Sequence, residues 1–484
     1  MSSVAVPKKM VPVPNIYGVE AFKEIKPEIV ALHPVQHKDT LFTTTAQNRI
    51  SFRVPAYSNA LLDTSRSFLY MKIATVNTDG AYLAPGMPIL SRMVVKTSAG
   101  LTLEDISDMD VLSTMLDSLR PAETRDQSVL GNAISGPADI DFQDRAGYVP
   151  YHGVTPFAES DSYKEAMLKF NFGIFSKHLT KFLPLFMADG GAGYSFDVDL
   201  YLSDNGLSWD LDANNETTSN EANPLLAIHS PVWYMHLMRM DEGLARRFNQ
   251  MAVHGEEIRI PFTTWHTHRS TLVSNSIIAY IHENATNFKK ILTCVRKPDK
   301  RLVQHQRYRV ITGDDGGDPP IMSYDYKTRV LMHGFEGGRE SEKNKVNSYN
   351  YRIGVQHVYN EPVQETNSNA RTLMFVRSAF GVPDDVTLTT ESRTQPTNPD
   401  LLEIRPFDAF RWCSVASFDY SPGEQGVIQG ISSSNPVELS LTVDKDTFVN
   451  GSLVMNYCEL AYDLVFKGGA IHYEEQKPGS QSVY

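Results

Sequence analysis

The chain has 484 residues, 41% of them hydrophobic and 21% charged, with a formal net charge of −12 at pH 7. That length exceeds what one small core organises and fits two units of roughly 200 residues each, plus arms. The acidic balance argues against broad contact with phosphate backbones, which requires Lys and Arg to displace condensed counterions.

Cys294, Cys413 and Cys458 are odd in number, far apart and in no CxxC spacing. They read as buried or incidental thiols of a protein made in a reducing compartment, neither a disulfide framework nor a zinc site. No apolar run is long enough to span a bilayer, and Met1-Ser2-Ser3-Val4 lacks the charged start and apolar stretch of a signal peptide. Synthesis and assembly in cytosol or nucleus is the expectation.

In chain order, residues 1–45 read as an extended arm, because Pro7, Pro12, Pro14, Pro27 and Pro34 interrupt regular pairing. Its Lys and acidic residues nearly balance, which suits a segment lying along a neighbouring subunit or a disordered terminus better than a polybasic tail. From Arg49 the pattern is that of strands: Ile50, Phe52 and Val54 alternate with Ser51 and Arg53, and Phe68 to Ile73 follows a polar turn. Ile106, Met109, Leu112, Leu116 and Leu119 recur at helical spacing behind Asp105 and Ser107, predicting one inserted helix. Residues 121–153 read as long loops. Phe196, Val198, Leu200 and Leu202 alternate with Asp197, Asp199 and Tyr201, placing one strand face on a core and the other toward polar surroundings.

At the midpoint, Val232 to Met240 closes this half. Asp241 can cap a short helical turn with Glu242 near its positive end and Arg246 and Arg247 near its negative end, and a new strand opens at Ile258. A compact joint of this kind predicts two halves held rigidly side by side. The second half repeats the pattern: Ile277 to Ile281, Phe288 to Val295, Tyr349 to Val355, Val437 to Val443 and Leu453 to Phe466 read as strands, Thr372 to Phe380 as a short helix, and 296–347 as a polar tract. Many short strands and few helices predict an all-β chain of two tandem eight-stranded jelly-roll barrels with long inserted loops. The expected boundaries are an arm at 1–45, a first barrel at 46–242, a helical linker at 243–254, a second barrel at 255–474 and a tail at 475–484.

Three stretches bear a resemblance to a known family. Met240-Asp241-Glu242-Gly243-Leu244-Ala245-Arg246-Arg247-Phe248 between two strands is similar to the junction between barrels in double jelly-roll major capsid proteins of icosahedral DNA viruses. Tyr349-Asn350-Tyr351-Arg352-Ile353-Gly354 through Tyr359-Asn360-Glu361-Pro362-Val363 resembles a run in the second barrel of polinton-like, virophage-like and adenovirus-related members. Phe182-Leu183-Pro184-Leu185 resembles the closing part of their first barrel. The resemblance implies a virion structural protein whose homotrimers form pseudo-hexameric tiles. It implies as partners neighbouring capsomers, penton and minor capsid proteins, and double-stranded DNA enclosed without sequence-specific binding.

No catalytic or cofactor-binding residues are assigned, since no Gly-x-Ser-x-Gly, HExxH or Walker sequence occurs. His266 and His268 share a strand face at i and i+2, compatible with a metal, but no third ligand stands near them in sequence. Asp210, Asp212, Asn214 and Glu221 follow the spacing of a calcium loop. Asn215 holds the position where Gly normally makes the sharp turn and no helices flank the stretch, so a solvated acidic loop is the better reading. Asp197 and Asp199 share a strand face, and Arg239, Arg246 and Arg247 could meet acidic groups across a subunit boundary. A carbohydrate-active or carbohydrate-binding β-sandwich is the main competing class, since two carboxylates in a cleft would suffice for it.

Overall fold

Two β-sandwiches follow one another along the chain. The computed structural model describes residues 25–118, 148–150, 163–209, 225–296, 309–311, 321–323, 346–380, 413–418 and 436–475, with breaks of at most six residues inside these spans. In the first half, strands Ala60–Thr75 and Leu226–Met240 pair antiparallel along most of their length. Lys164–Leu168 and Leu183–Pro184 flank the first, and Ile25–Leu32 and Leu41–Thr43 the second. The facing sheet runs Arg49–Pro55, Tyr194–Leu202, Leu90–Thr97, Thr102–Ser107. The predicted alternation holds: Phe196, Val198, Leu200 and Leu202 are buried, while Asp197 and Asp199 turn outward to Arg53, Ser51 and Arg49 on the neighbouring strand.

The second half is built alike. Its long pair is Ile258–Leu272 with Ser452–Lys467, extended by Phe288–Arg296, Cys413–Ser417 and Ala470–Glu475; the facing sheet holds Ser276–Ile281, Val437–Val443, Val346–Ile353, Gln356–His357 and Val363–Gln364. In each half an early long strand waits for one near the half's end, so the sandwich closes only when distant segments meet.

Apolar residues from facing sheets fill both interiors. In the first, Trp233 is 1% exposed and lies edge-on to Phe52, Phe170 and Phe175, with ring centroids 5.8, 5.7 and 4.9 Å away. In the second, a polar strut crosses the core. Tyr351 Oη bonds Thr293 Oγ1 at 2.9 Å and Ser414 Oγ at 2.8 Å, and Thr293 donates to Asn456 Oδ1 at 2.7 Å. Each of these hydroxyls is bonded, which offsets the cost of burying it.

Two expectations need correction. The helix begins later than its spacing indicated, at Met109–Ser118, because Thr102–Ser107 is taken by the sheet through pairing with Leu90–Thr97. The chain switches at Asp108, whose φ of 52° breaks the strand, and Ile106 packs as a strand residue. Within the proline-rich beginning, Ile25–Leu32 pairs with Leu226–Met240 despite Pro27. Among the described residues it is the outermost strand of its sheet, where a missing N–H costs no ladder bond. The second predicted helix is present at Ala370–Phe380. At the midpoint, Leu244 N–H donates to Asp241 Oδ1 at 2.7 Å and Ala245 N–H to the Asp241 carbonyl at 3.0 Å, the cap that the sequence predicts.

The candidate functional site: a sealed seam between the sandwiches

Strand Ile258–Leu272 pairs with Ser452–Lys467 on one side; the first half covers its other side. Gly173 N–H donates to the Thr263 carbonyl at 3.0 Å, Thr267 Oγ1 to the Ser107 carbonyl at 2.9 Å, and Lys181 Nζ to the Arg259 carbonyl at 3.3 Å. Arg269 clasps Asp108 with Nε 2.7 Å and Nη2 2.5 Å from Oδ2, and Tyr457 Oη reaches the Asp108 carbonyl at 3.4 Å. An edge that would otherwise present unpaired carbonyls is thereby satisfied within the chain. The two sandwiches are joined by directed bonds as well as by the linker.

Glu104 sits fully inside this seam. Its Oε2 accepts the Ile174 N–H at 2.9 Å, while Oε1 and the nearby Thr264 Oγ1 are both buried without a formed hydrogen bond. Burial pushes the carboxyl up to about 7, against the opposing pull of the Thr264 hydroxyl, the Ile174 N–H and the His266 ring. Next to it His266 Nδ1 and His268 Nε2 hold the two oxygens of Glu283 at 3.0 and 2.8 Å. Burial raises Glu283, but the bonds from both imidazoles outweigh it and hold the carboxyl at about 2. Burial likewise lowers His266, yet its bond to Glu283 and the charges of Glu283 and Glu104 raise it overall.

A pH response follows from Glu104. Its folded pKa of about 7 exceeds the ordinary carboxylate value, so the folded state binds the proton more tightly than the unfolded chain does. Stability should therefore fall as pH rises from about 4.5 to about 7, by roughly 3 kcal/mol at most for this group. His266 contributes in the same direction, its stabilisation being present below pH 6.5 and lost above its raised value. Thermal melts at pH 5 and pH 8 should show the decline, and Glu104→Gln should shrink it and melt higher than the parent at pH 8. An unchanged pH slope in the variant would refute the assignment.

His266 and His268 thus converge on a carboxylate, and the partner missed in sequence is Glu283, brought in from beyond strand Ser276–Ile281. Among the described residues no group of three His, Cys, Asp or Glu is arranged to hold a metal ion. Asp210, Asp212, Asn214 and Glu221 lie outside the described residues, as does Arg247. Arg239 meets an acid within its own chain: it bonds Glu28 at 2.5 Å and Asn59 at 3.1 Å, and lies over the Tyr57 ring. Asp197 and Asp199 are occupied by cross-strand partners, as noted above. Among the described residues, a hollow of about 290 Å³ lined by Tyr359, Glu361, Pro362, Arg371 and Phe375 has one carboxylate, whereas glycoside hydrolysis by acid and base needs two. No described helix is long and apolar enough to cross a membrane.

No protein-family model and no curated protein matches the sequence. Solved structures do match the fold. A structure of the PBCV-1 virus capsid aligns with a TM-score of 0.54 at 11% identity, over 94% of this chain and 97% of that one. A structure of the Sputnik virophage aligns with a TM-score of 0.52 at 10% identity, over 100% of this chain and 94% of the other. The alignments run through both sandwiches and the seam between them, so the chain has the double jelly-roll fold found in the major capsid proteins of icosahedral DNA viruses.

Proposed function

We propose that this chain is the major capsid protein of an icosahedral DNA virus, with three copies forming a pseudo-hexameric capsomer. The observation that carries the reading is the sealed seam: two like-built sandwiches clamped side by side behave as one rigid body, and a three-fold axis turns two such bodies into six. The linker at 243–254 would divide barrels at 46–242 and 255–474, with strands Ile25–Leu32 and Leu41–Thr43 of the 1–45 arm adding to the first barrel's sheet. Exposed apolar side chains on the edge strand Ser276–Ile281, Ile278 at 57% and Tyr280 at 56%, are the kind of surface that a subunit contact covers. The net charge of −12 suits a wall that encloses DNA and does not grip it. Neighbouring capsomers, penton and minor capsid proteins are the expected partners, and the virion is the expected location.

Light scattering on the purified chain tests the trimer directly. The expected mass is about 163 kDa, three times the 54.2 kDa of one chain. A monomer persisting at tens of micromolar would overturn the capsomer reading.

A further inference from the structure

Strands Phe288–Arg296 and Cys413–Ser417 are antiparallel neighbours, and their register sets Cys294 directly opposite Cys413. The backbone bond from Phe418 N–H to the Lys289 carbonyl fixes which opposed pairs exchange hydrogen bonds. Bonded pairs recur at every second residue, so 289, 291 and 293 belong to bonded pairs and 290, 292 and 294 to the close, non-bonded kind. Cα atoms in such pairs stand about 4.5 Å apart, at the short end of the span that a disulfide bridges. Both side chains point to one face. Thr293 and Ser414, one residue along, turn the other way to bond Tyr351 in the barrel interior. Lys290, on the cysteines' face, donates to the Ala379 carbonyl of helix Ala370–Phe380.

We propose that Cys294 and Cys413 form a reversible cross-strand disulfide that staples the two ends of segment 295–412. Cys458 is excluded from the bond. It lies opposite Ile291 and shares the interior-facing parity of Asn456, which bonds Thr293.

A low-molecular-weight disulfide such as oxidised glutathione supplies the oxidising equivalents. One cysteine thiolate attacks it, forming a mixed disulfide and releasing one glutathione thiolate. The second cysteine thiolate then attacks the protein sulfur of that mixed disulfide, closing the Cys294–Cys413 bond and expelling the second glutathione. The two cysteine protons end on the two glutathiones, and the cysteines lose two electrons in total. Both thiols are held as thiols in the structure, and burial pushes both upward in pKa, so exchange is slow until the site opens. The opening is local: Cys413–Ser417 is the last strand of its sheet among the described residues, and helix Ala370–Phe380 packs over it. Reduction runs the same exchange in reverse with a small thiol, which suits a reversible staple.

The test incubates the full-length protein with oxidised glutathione in sub-denaturing urea, followed by acid quench, alkylation in denaturant and peptide mass spectrometry. The expected result is a Cys294–Cys413 peptide pair lighter by two hydrogens, with Cys458 fully alkylated and thiols per chain falling from three to one. Cys294→Ser and Cys413→Ser should each abolish the linked pair, and Cys458→Ser should leave it. The melting temperature should rise by several degrees on oxidation and return with dithiothreitol. Three alkylatable thiols after that treatment, a stable mixed disulfide with glutathione, or a bridge that includes Cys458 would each overturn the proposal.

Discussion

Replacing Trp233 with alanine is expected to cost about 3–5 kcal/mol, because it empties the centre of the first barrel where facing sheets meet. The indole lies edge-on to three phenylalanine rings, one of which, Phe175, continues the cluster to Phe196 with centroids 5.6 Å apart. Side chains on stiff paired strands cannot collapse far into the space left behind. Trp233→Phe should be much milder: it keeps an aromatic ring among the phenylalanines and removes an indole N–H that is buried without an acceptor among the described residues. Thermal melts and near-ultraviolet circular dichroism would measure both. An alanine variant that melts within a degree or two of the parent would mean that the cluster does not hold the barrel together.

Gly173→Ala is expected to loosen the seam by about 2–4 kcal/mol, from two additive penalties. Its φ of 84° lies in the left-handed region that side-chain-bearing residues avoid. A Cβ there would also stand 2.5 Å from Glu104 Oε2 and 2.7 Å from Oε1, inside van der Waals contact. Glu104 is fixed by the Ile174 N–H and cannot withdraw without losing that bond. The clash would also shift the Gly173 N–H from the Thr263 carbonyl, opening the covered edge of the second barrel. Glu104→Ala should relieve the steric part, so the double variant should be less destabilised than the two single losses added together. Hydrogen exchange at the residue-173 amide, the donor to the Thr263 carbonyl, should rise in the single variant. Strict additivity, or unchanged exchange at that amide, would show that the glycine does not serve the seam.

The sandwich character of the chain was legible because a strand with one buried face must alternate with period two. Phe196 to Leu202 and Val437 to Val443 carry that period, and both are buried as it demands. The Asp241 cap was equally legible, since a cap depends on residues three positions apart. The helix start was misplaced because Ile106 satisfies both periods, and only the neighbouring strand Leu90–Thr97 decides between them. The pairing of Ile25–Leu32 was missed because proline forbids an interior strand and permits an edge one, and no local pattern reports which edge is vacant.

By itself the sequence determined an all-β chain in two similar halves with a capped joint, because alternation and capping are written within a few residues of one another. The tertiary structure alone decided what the joint achieves. Glu104 meeting Gly173, Glu283 reaching His266 and His268, and Cys294 facing Cys413 are each set by the register of strands distant in sequence. Register is a property of the assembled sheets, in which a shift of one residue would turn every side chain to the opposite face.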